Sequence, residues 1–344
     1  MTRARELRGR AALVVAGATV ALLLCELLLR LAGFEFGLYP TRVQVGWPDP
    51  LTLRRQYEVD RQLLWVPKTY SSTLAAARRT RPTVVFMGDS CTEFGHYDTS
   101  FALLVTERHP GASPRFANVG VGGWSSHQGV QQLERDIVSL RPRVVTFYYG
   151  WNDHWSSFGV ADKDIGRFNL EHSGVLLQLS RFRVAQLINR AVFATTVRRV
   201  RGQVRVSLSD FRSNLTRLVR TARAHDIVPV LLTAPSSHRP GAEPAYLAER
   251  WLDDLHDLVP LHQRYVQAVR DVAASEQAPL VDLEAEFARL PGPELDALFK
   301  MDGIHLTEAG DRRIARVLYE RFLAMDLIGL TLAPASPDQP ISAR

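Results

Sequence analysis

Five short apolar runs punctuate the chain, at residues 83–87, 115–119 (RFANV), 143–149 (RVVTFYY), 227–233 (IVPVLLT) and 279–283 (PLVDL). None alternates with polar residues as a half-solvated strand does. They read as strands covered on both faces, the condition of a parallel sheet. The segments between them have a helical period. Val130, Leu133, Ile137 and Leu140 recur at spacings that share one helix face. So do Phe211, Leu215, Leu218 and Val219 within 208–225, and Ile314, Val317, Leu318 and Phe322 within 306–325, where Thr307 is a natural N-cap. Strands alternating with helices predict an α/β protein, a three-layer α/β/α doubly wound fold.

Two regions break the rhythm. Residues 35–81 carry Pro40, Pro48, Pro50 and Pro67 without sustained periodicity and read as an extended stalk with room to pack partly on the domain. Residues 154–206 separate the third strand from the helix that should follow it, and their centre, GVLLQLSRFRVAQLINRAVFATTVRR, is helical in composition. The readings for this insertion are a lid, a membrane-facing element or an extra packed helix. The expected organisation is a tail and anchor over 1–36, a stalk over 37–81, one domain over 82–330 with its insertion at 154–206, and a tail over 331–344.

The anchor rests on hydropathy. Residues 11–25 hold no charge, and the apolar character continues to Phe34. A window of 11–33 reaches the length of about 20 residues that a bilayer span needs. Glu26 and Arg30 then stand one helical turn apart, acid first, where they can pair, and Arg30 can snorkel to the interface. Arg3, Arg5, Arg8 and Arg10 precede the apolar run. The positive-inside rule keeps them cytoplasmic and puts everything after Phe34 outside, which gives a single-pass signal-anchor protein of the bacterial inner membrane. A cleaved signal peptide fits less well, because no A-x-A site follows and Leu24 rather than a small residue precedes Cys25. A buried helix is the third reading.

Composition changes this picture little. Of the net charge of +6, the first ten residues account for +3, so no basic surface is left that argues for nucleic-acid binding. Two cysteines, Cys25 and Cys91, exclude a disulfide framework, and no Cys/His cluster has zinc spacing.

In an open parallel sheet, ligands sit beyond the carboxyl ends of the strands. Four loops there carry chemistry: Gly88-Asp89-Ser90 after the first strand, NVGVGGWSS (118–126) after the second, GWNDHW (150–155) after the third, and KMDGIHLTEAG (300–310) before the last helix. Acyl transfer needs a nucleophile, a base, an acid to orient the base, and donors for an oxyanion. Ser90 suits the first role, His305 the second and Asp302 the third. The backbone N–H groups of Ser90 and Gly123 and the amide of Asn152 suit the last. Each block alone is weak, and their order along four loops is what joins them. The glycines at 120–123 approach a dinucleotide fingerprint, but Ser125 stands where its third glycine belongs.

These blocks resemble the SGNH (GDSL-type) hydrolase family, whose Ser, Gly, Asn and His correspond to Ser90, Gly123, Asn152 and His305. The resemblance spans about residues 82–326. It implies a five-stranded flavodoxin-like sheet, ester or thioester substrates, and no metal or other cofactor. Cys91 departs from the leucine common after the first-block serine. Several rivals are read structurally: His96 and His154 as substrate contacts or surface groups, Asp89 as a turn-shaping acid, and Cys91 as a core side chain. The VRRVRGQVR run (197–205) is read as a solvated helix face, with anionic headgroups or acidic glycan as the sharper alternative. Trp124, Trp151 and Trp155 offer an aromatic-walled pocket for sugar rings.

The function expected is a carboxylic ester hydrolase, a membrane-tethered extracytoplasmic serine esterase that removes acetyl or another short acyl group from a carbohydrate or lipid ester. An O-acyltransferase acting on an envelope glycan is the alternative within enzymes, and a non-catalytic glycan-binding protein is the alternative outside them.

Overall fold

A computed structural model describes residues 2–34, 56–60, 62–157, 161–164, 179, 181–196, 202–249 and 251–332. The first part of the expected stalk, much of the 154–206 insertion and the tail beyond 332 therefore lie outside the described residues.

The sheet follows from the apolar runs. Strands β3 (Val84–Gly88), β4 (Phe116–Asn118), β5 (Val144–Tyr148), β6 (Val228–Leu232) and β7 (Leu280–Val281) align in the order β4-β3-β5-β6-β7, every pair parallel. This is the flavodoxin-like order, with the chain reversing direction across the sheet at β3 and β5. The numbers β1 and β2 belong to a hairpin described below.

Alternate residues of each strand feed two cores. Val85, Met87, Val145, Phe147 and Leu231 face α2 (Tyr70–Thr80), α5 (Ser126–Gln132), α7 (Leu208–Ala224) and α8 (Leu258–Ser275). Val84, Phe86, Val144, Tyr148, Val230 and Leu232 face α4 (Tyr97–Arg108) and α11 (Glu308–Ala324). Both faces are dry because both carry helices. The predicted cap is in place, with Thr307 Oγ1 accepting from the Gly310 N–H of α11, and Ser207 Oγ likewise caps α7 through the Asp210 N–H. Between α5 and β5 the helix loosens into a π turn over Leu133–Ile137 and a 3₁₀ turn over Val138–Leu140. All four periodic residues from Val130 to Leu140 stay buried.

The stalk reading does not describe residues 57–80. Strands β1 (Tyr57–Asp60) and β2 (Leu64–Pro67) form an antiparallel hairpin, followed by α2. Trp65 is fully buried, and Tyr70 and Leu74 join it in the first core. The prolines hid this order: Pro67 ends β2, where the lost N–H costs nothing, and the other three fall outside the described residues.

Helix α1 (Thr2–Leu31) contains a stretch, Gly9–Leu31, long and apolar enough to cross a membrane. Most of its leucines, Leu13, Leu22, Leu23, Leu24, Leu27, Leu28 and Leu31, are exposed, as an apolar solvent would require. The paired charges are in contact, with Arg30 Nε donating to Glu26 Oε1 at 2.7 Å. The helical centre of the insertion appears as α6 (Arg183–Thr196). Four short helices, α3 (Ser90–Glu93), α9 (Leu283–Phe287), α10 (Gly292–Ala297) and α12 (Ile328–Leu332), complete the described elements.

Candidate active site

Strand β3 ends at Gly88, and the next two residues start α3. Asp89 is the N-cap, its carboxylate accepting from the Cys91 N–H at 2.9 Å. Burial pushes this carboxyl up to about 6. Gly88 is required by crowding, since a Cβ there would lie 2.1 Å from Thr92 Oγ1. Ser90 is thus the first residue of a helix, where the N–H has no intrahelical acceptor.

The four chemistry-bearing loops meet at this end of the sheet. His305 Nε2 lies 2.8 Å from Ser90 Oγ, and its Nδ1 lies 2.6 Å from Asp302 Oδ2. A ring nitrogen against a carboxylate carries the proton, so Nδ1–H donates to Asp302 and Nε2 is free to accept from the serine hydroxyl. Burial alone would raise Asp302. The His305 ring and the N–H groups of Ile304 and His305, each 2.9 Å from Oδ1, outweigh that and hold it at about 2. Asp302 therefore stays anionic at any working pH.

β4 and β5 flank β3, so their loops flank Ser90. Gly123, after β4, has φ of +79°, a left-handed conformation that favours glycine. Asn152, after β5, is buried, and its Nδ2 is an orphan donor with no partner among the described residues. A buried amide without an acceptor is costly unless a ligand supplies one.

Sequence reasoning missed the frame behind these donors. Arg205 Nη1 donates to the Gly123 carbonyl at 2.8 Å, and the same guanidinium forks onto Asp162, with both side chains almost wholly buried. Ser125 Oγ also reaches Asp162, at 2.7 Å. Asp153, next to Asn152, accepts from the N–H and hydroxyl of Ser126 and so ties the two flanking loops together. Burial lifts Asp153 to about 7. Glu93 accepts from the Gly122 N–H. On the other side, His238 Nε2 donates to the Asp302 carbonyl at 2.7 Å. No local motif announces these contacts, because each joins residues distant in sequence.

The rivals are elsewhere. The Cys91 thiol is buried against the Ile304 carbonyl, and burial raises its pKa well above the ordinary value. His154 is fully buried against His262, whose other ring nitrogen donates to the Ala234 carbonyl, and burial depresses both. His96 is exposed and precedes α4.

The aromatic-walled pocket is a correction. Trp124, Trp151 and Trp155 are core residues, 0–3 % exposed. Trp124 donates to the Trp65 carbonyl, and Trp151 stacks on His262. The exposed aromatic beside the row is Phe94, its ring 6.5 Å from that of His305.

A cavity of about 240 Å³ opens next to Glu93, lined by Tyr70, His96, Asp98, Asn118 and Gly120 among others. Among the described residues no cluster of three or more His, Cys, Asp or Glu could hold a metal ion.

Comparison with known proteins shows the family. The model of a GDSL-like lipase/acylhydrolase family matches residues 86–313, more than half of the chain. No functionally curated protein matches. Among solved structures, the chain is similar to the lipase/acylhydrolase from Enterococcus faecalis (15% identity, TM-score 0.46, covering 71% of this chain and 96% of that one). It is also similar to a GDSL-like lipase from Bacteroides thetaiotaomicron (16%, TM-score 0.47, covering 75% and 97%) and to an acetyl xylan esterase from Geobacillus stearothermophilus (18%, TM-score 0.45, covering 73% and 96%).

Proposed function

The chain belongs to the GDSL-like lipase/acylhydrolase family and is an ester hydrolase, and from that premise we propose that Ser90, His305 and Asp302 carry its chemistry. The observation that supports this most is the unbroken row from Ser90 Oγ through His305 to Asp302, at 2.8 and 2.6 Å.

Ser90 Oγ attacks the acyl carbonyl while His305 Nε2 takes its proton. Asp302, already anionic, stabilises the imidazolium that forms and keeps the ring in its tautomer. The carbonyl oxygen becomes an anion, held by the N–H groups of Ser90 and Gly123 and by Asn152 Nδ2. His305 returns the proton to the leaving alkoxide, which departs and leaves Ser90 acylated. A water then loses a proton to His305 and attacks the acyl-enzyme, and the acid departs as His305 returns that proton to Ser90 Oγ.

The proposed substrate is an acetyl or other short-chain ester of a carbohydrate or lipid, met outside the inner membrane by a domain tethered through α1. The support for the place is the apolar length of α1 and the four arginines before it. The support for a hydroxyl-rich alcohol is the polar cavity lined by Glu93, His96 and Asp98, of which Glu93 closes the short helix that Ser90 opens.

The test is turnover by the full-length protein on acetylated sugars, short-chain esters and long-chain esters, with free acid and any new sugar ester followed together. Free acetate should dominate. Long-chain esters as the preferred substrates would refute the short-acyl assignment. Sugar ester as the main product would make the protein a transferase.

A further inference from the structure

Helix α1 is not bare at its outer end. Helix α6 packs there, and contacts distant in sequence tie the two together. The Val184 N–H in the first turn of α6 donates to Glu26 Oε2 at 3.0 Å. Arg30, already paired with Glu26, donates from Nη2 to the Arg181 carbonyl at 3.1 Å. The Arg190 guanidinium stands over the Phe34 ring at 5.9 Å. An acid in an apolar span is costly unless it is partnered. Here it has a cation one turn away and the positive end of a second helix.

The faces of α6 are inverted relative to a helix on a water-soluble domain. By the helical period, Val184, Leu187, Ile188 and Ala191 share one side. Leu187 is 39% exposed and Ile188 57%, and Phe182, just before the helix, is 52% exposed. Among the described side chains of this helix, the buried one is the polar Gln186, at 1%. In water the apolar stripe would be the one turned inward. Its outward turn is what an apolar surrounding selects.

Depth and charge agree. Glu26 lies five residues before the end of the Gly9–Leu31 stretch, about 7 Å along the axis at 1.5 Å per residue. That is the boundary between acyl chains and headgroups, where interfacial helices lie. Residues 179–196 contain Arg181, Arg183 and Arg190 and no Asp or Glu, so they suit an anionic lipid surface.

We propose that α6 is an interfacial helix, its Leu187–Ile188 face immersed in an anionic phospholipid bilayer and its first turn held at α1 by Glu26. This rests on α1 being the membrane anchor. The insertion leaves the domain just after the Asn152 loop and returns at Arg205, stitched by the Ser156–Val204 bridge and the Arg205–Asp162 pair. Contact of α6 with lipid therefore fixes the loops that carry the oxyanion donors relative to the membrane surface.

The test uses the full chain in vesicles of phosphatidylcholine and phosphatidylglycerol, with Cys25→Ser removing the half-exposed native thiol. A nitrobenzoxadiazole probe is placed in turn at Ile188→Cys, at Leu22→Cys in α1, and at Leu323→Cys, at the end of α11 that runs back from the site edge of the sheet. Probes at 188 and 22 should emit to the blue and be quenched by spin-labelled lipids, with 188 quenched more by shallow labels than by deep ones. The probe at 323 should stay water-like. Glu26→Ala should reduce quenching at 188 several-fold and leave 22 unchanged, whereas Glu26→Gln, which keeps an acceptor oxygen, should retain it.

A water-like probe at 188 beside a quenched probe at 22 would refute the inference and leave the anchor standing. If neither is quenched, the anchor fails as well. A blue-shifted 188 with energy transfer between chains but no lipid quenching would mean that a second copy covers this face, which also refutes it. Unchanged quenching at 188 in Glu26→Ala would overturn the role given to Glu26.

Discussion

The row from Ser90 to Asp302 and the loops bearing Gly123 and Asn152 meet at one end of the sheet but are built in opposite ways. The His305 and Asp302 side chains are 28% and 31% exposed beside a buried Ser90, and they are aligned by hydrogen bonds within the row and from the Ile304 and His305 N–H groups. Behind Gly123 and Asn152 lies a buried polar frame, in which Arg205 and Asp162 are 1% and 0% exposed and Asp153 is fully buried. The two duties differ. Groups that pass a proton must meet substrate and solvent, and their alignment comes from short hydrogen bonds. Groups that stabilise charge work by being fixed dipoles, and a fixed dipole needs a stiff backing. On the proposed assignment, reactivity is concentrated in three side chains and rigidity is spread over many.

Substitutions can break that division. The largest effect is expected on the row itself: Ser90→Ala or His305→Ala should lower kcat by about 10⁴-fold or more on an activated acetyl ester, with the fold intact by circular dichroism. Asp302→Ala should cost less than His305→Ala, because the imidazole remains. Equal losses would mean that the imidazole cannot act without its partner.

On the buried side, Asn152→Ala should lower kcat by about 10²–10³ with KM nearly unchanged, the signature of a donor used only in the transition state. A raised KM at constant kcat would make Asn152 a ground-state contact instead.

Arg205→Met should cost roughly 3–5 kcal/mol of stability in chemical denaturation, because Asp162 is left buried and unpaired. It should also lower kcat by about tenfold as the Gly123 peptide loses its donor. Adding Asp162→Leu should restore much of the stability and little of the rate, since the Gly123 carbonyl stays unsupported. Recovery of both together would dissolve the distinction between backing and donor.

The smallest effect concerns Asp153. Its carboxyl is raised to about 7 by burial, so between pH 4 and 7 the folded state binds the proton that the unfolded state has lost. Stability therefore falls as pH rises through that window. Asp153→Asn removes this titration while keeping an acceptor for Ser126. Its stability relative to the parent should improve from pH 4 to 7 by roughly 3 kcal/mol, read from melting curves at several pH values. A difference independent of pH would count against a protonated Asp153.

How far the sequence foretold these regions follows from their construction. The row is local chemistry: Asp302 and His305 share one turn, and Ser90 directly follows a run of buried residues, so residue types and strand ends suffice to find them. The frame is tertiary. Arg205 sits in a basic run that reads as a solvated face, and only folding carries it 82 positions back to the Gly123 carbonyl. The three tryptophans misled for a related reason. A large aromatic in a glycine-rich loop can line a pocket or plug the core, and hairpin β1–β2, which covers Trp124 through Trp65, was hidden among prolines. The five sheet strands and the buried faces of α7 and α11 were legible, because burial on two sides and on one side leave different periods, whereas the strand order was expected only from the family resemblance.

The central claim is that Ser90 is the acylated residue, and covalent labelling tests it most directly. The full-length protein is treated with a fluorophosphonate, digested and mapped by mass spectrometry, alongside Ser90→Ala and Cys91→Ala. The account predicts one adduct, on the peptide carrying Ser90 and assigned to the serine by fragmentation, absent in Ser90→Ala and retained in Cys91→Ala. An adduct that survives Ser90→Ala and disappears with Cys91→Ala would contradict it.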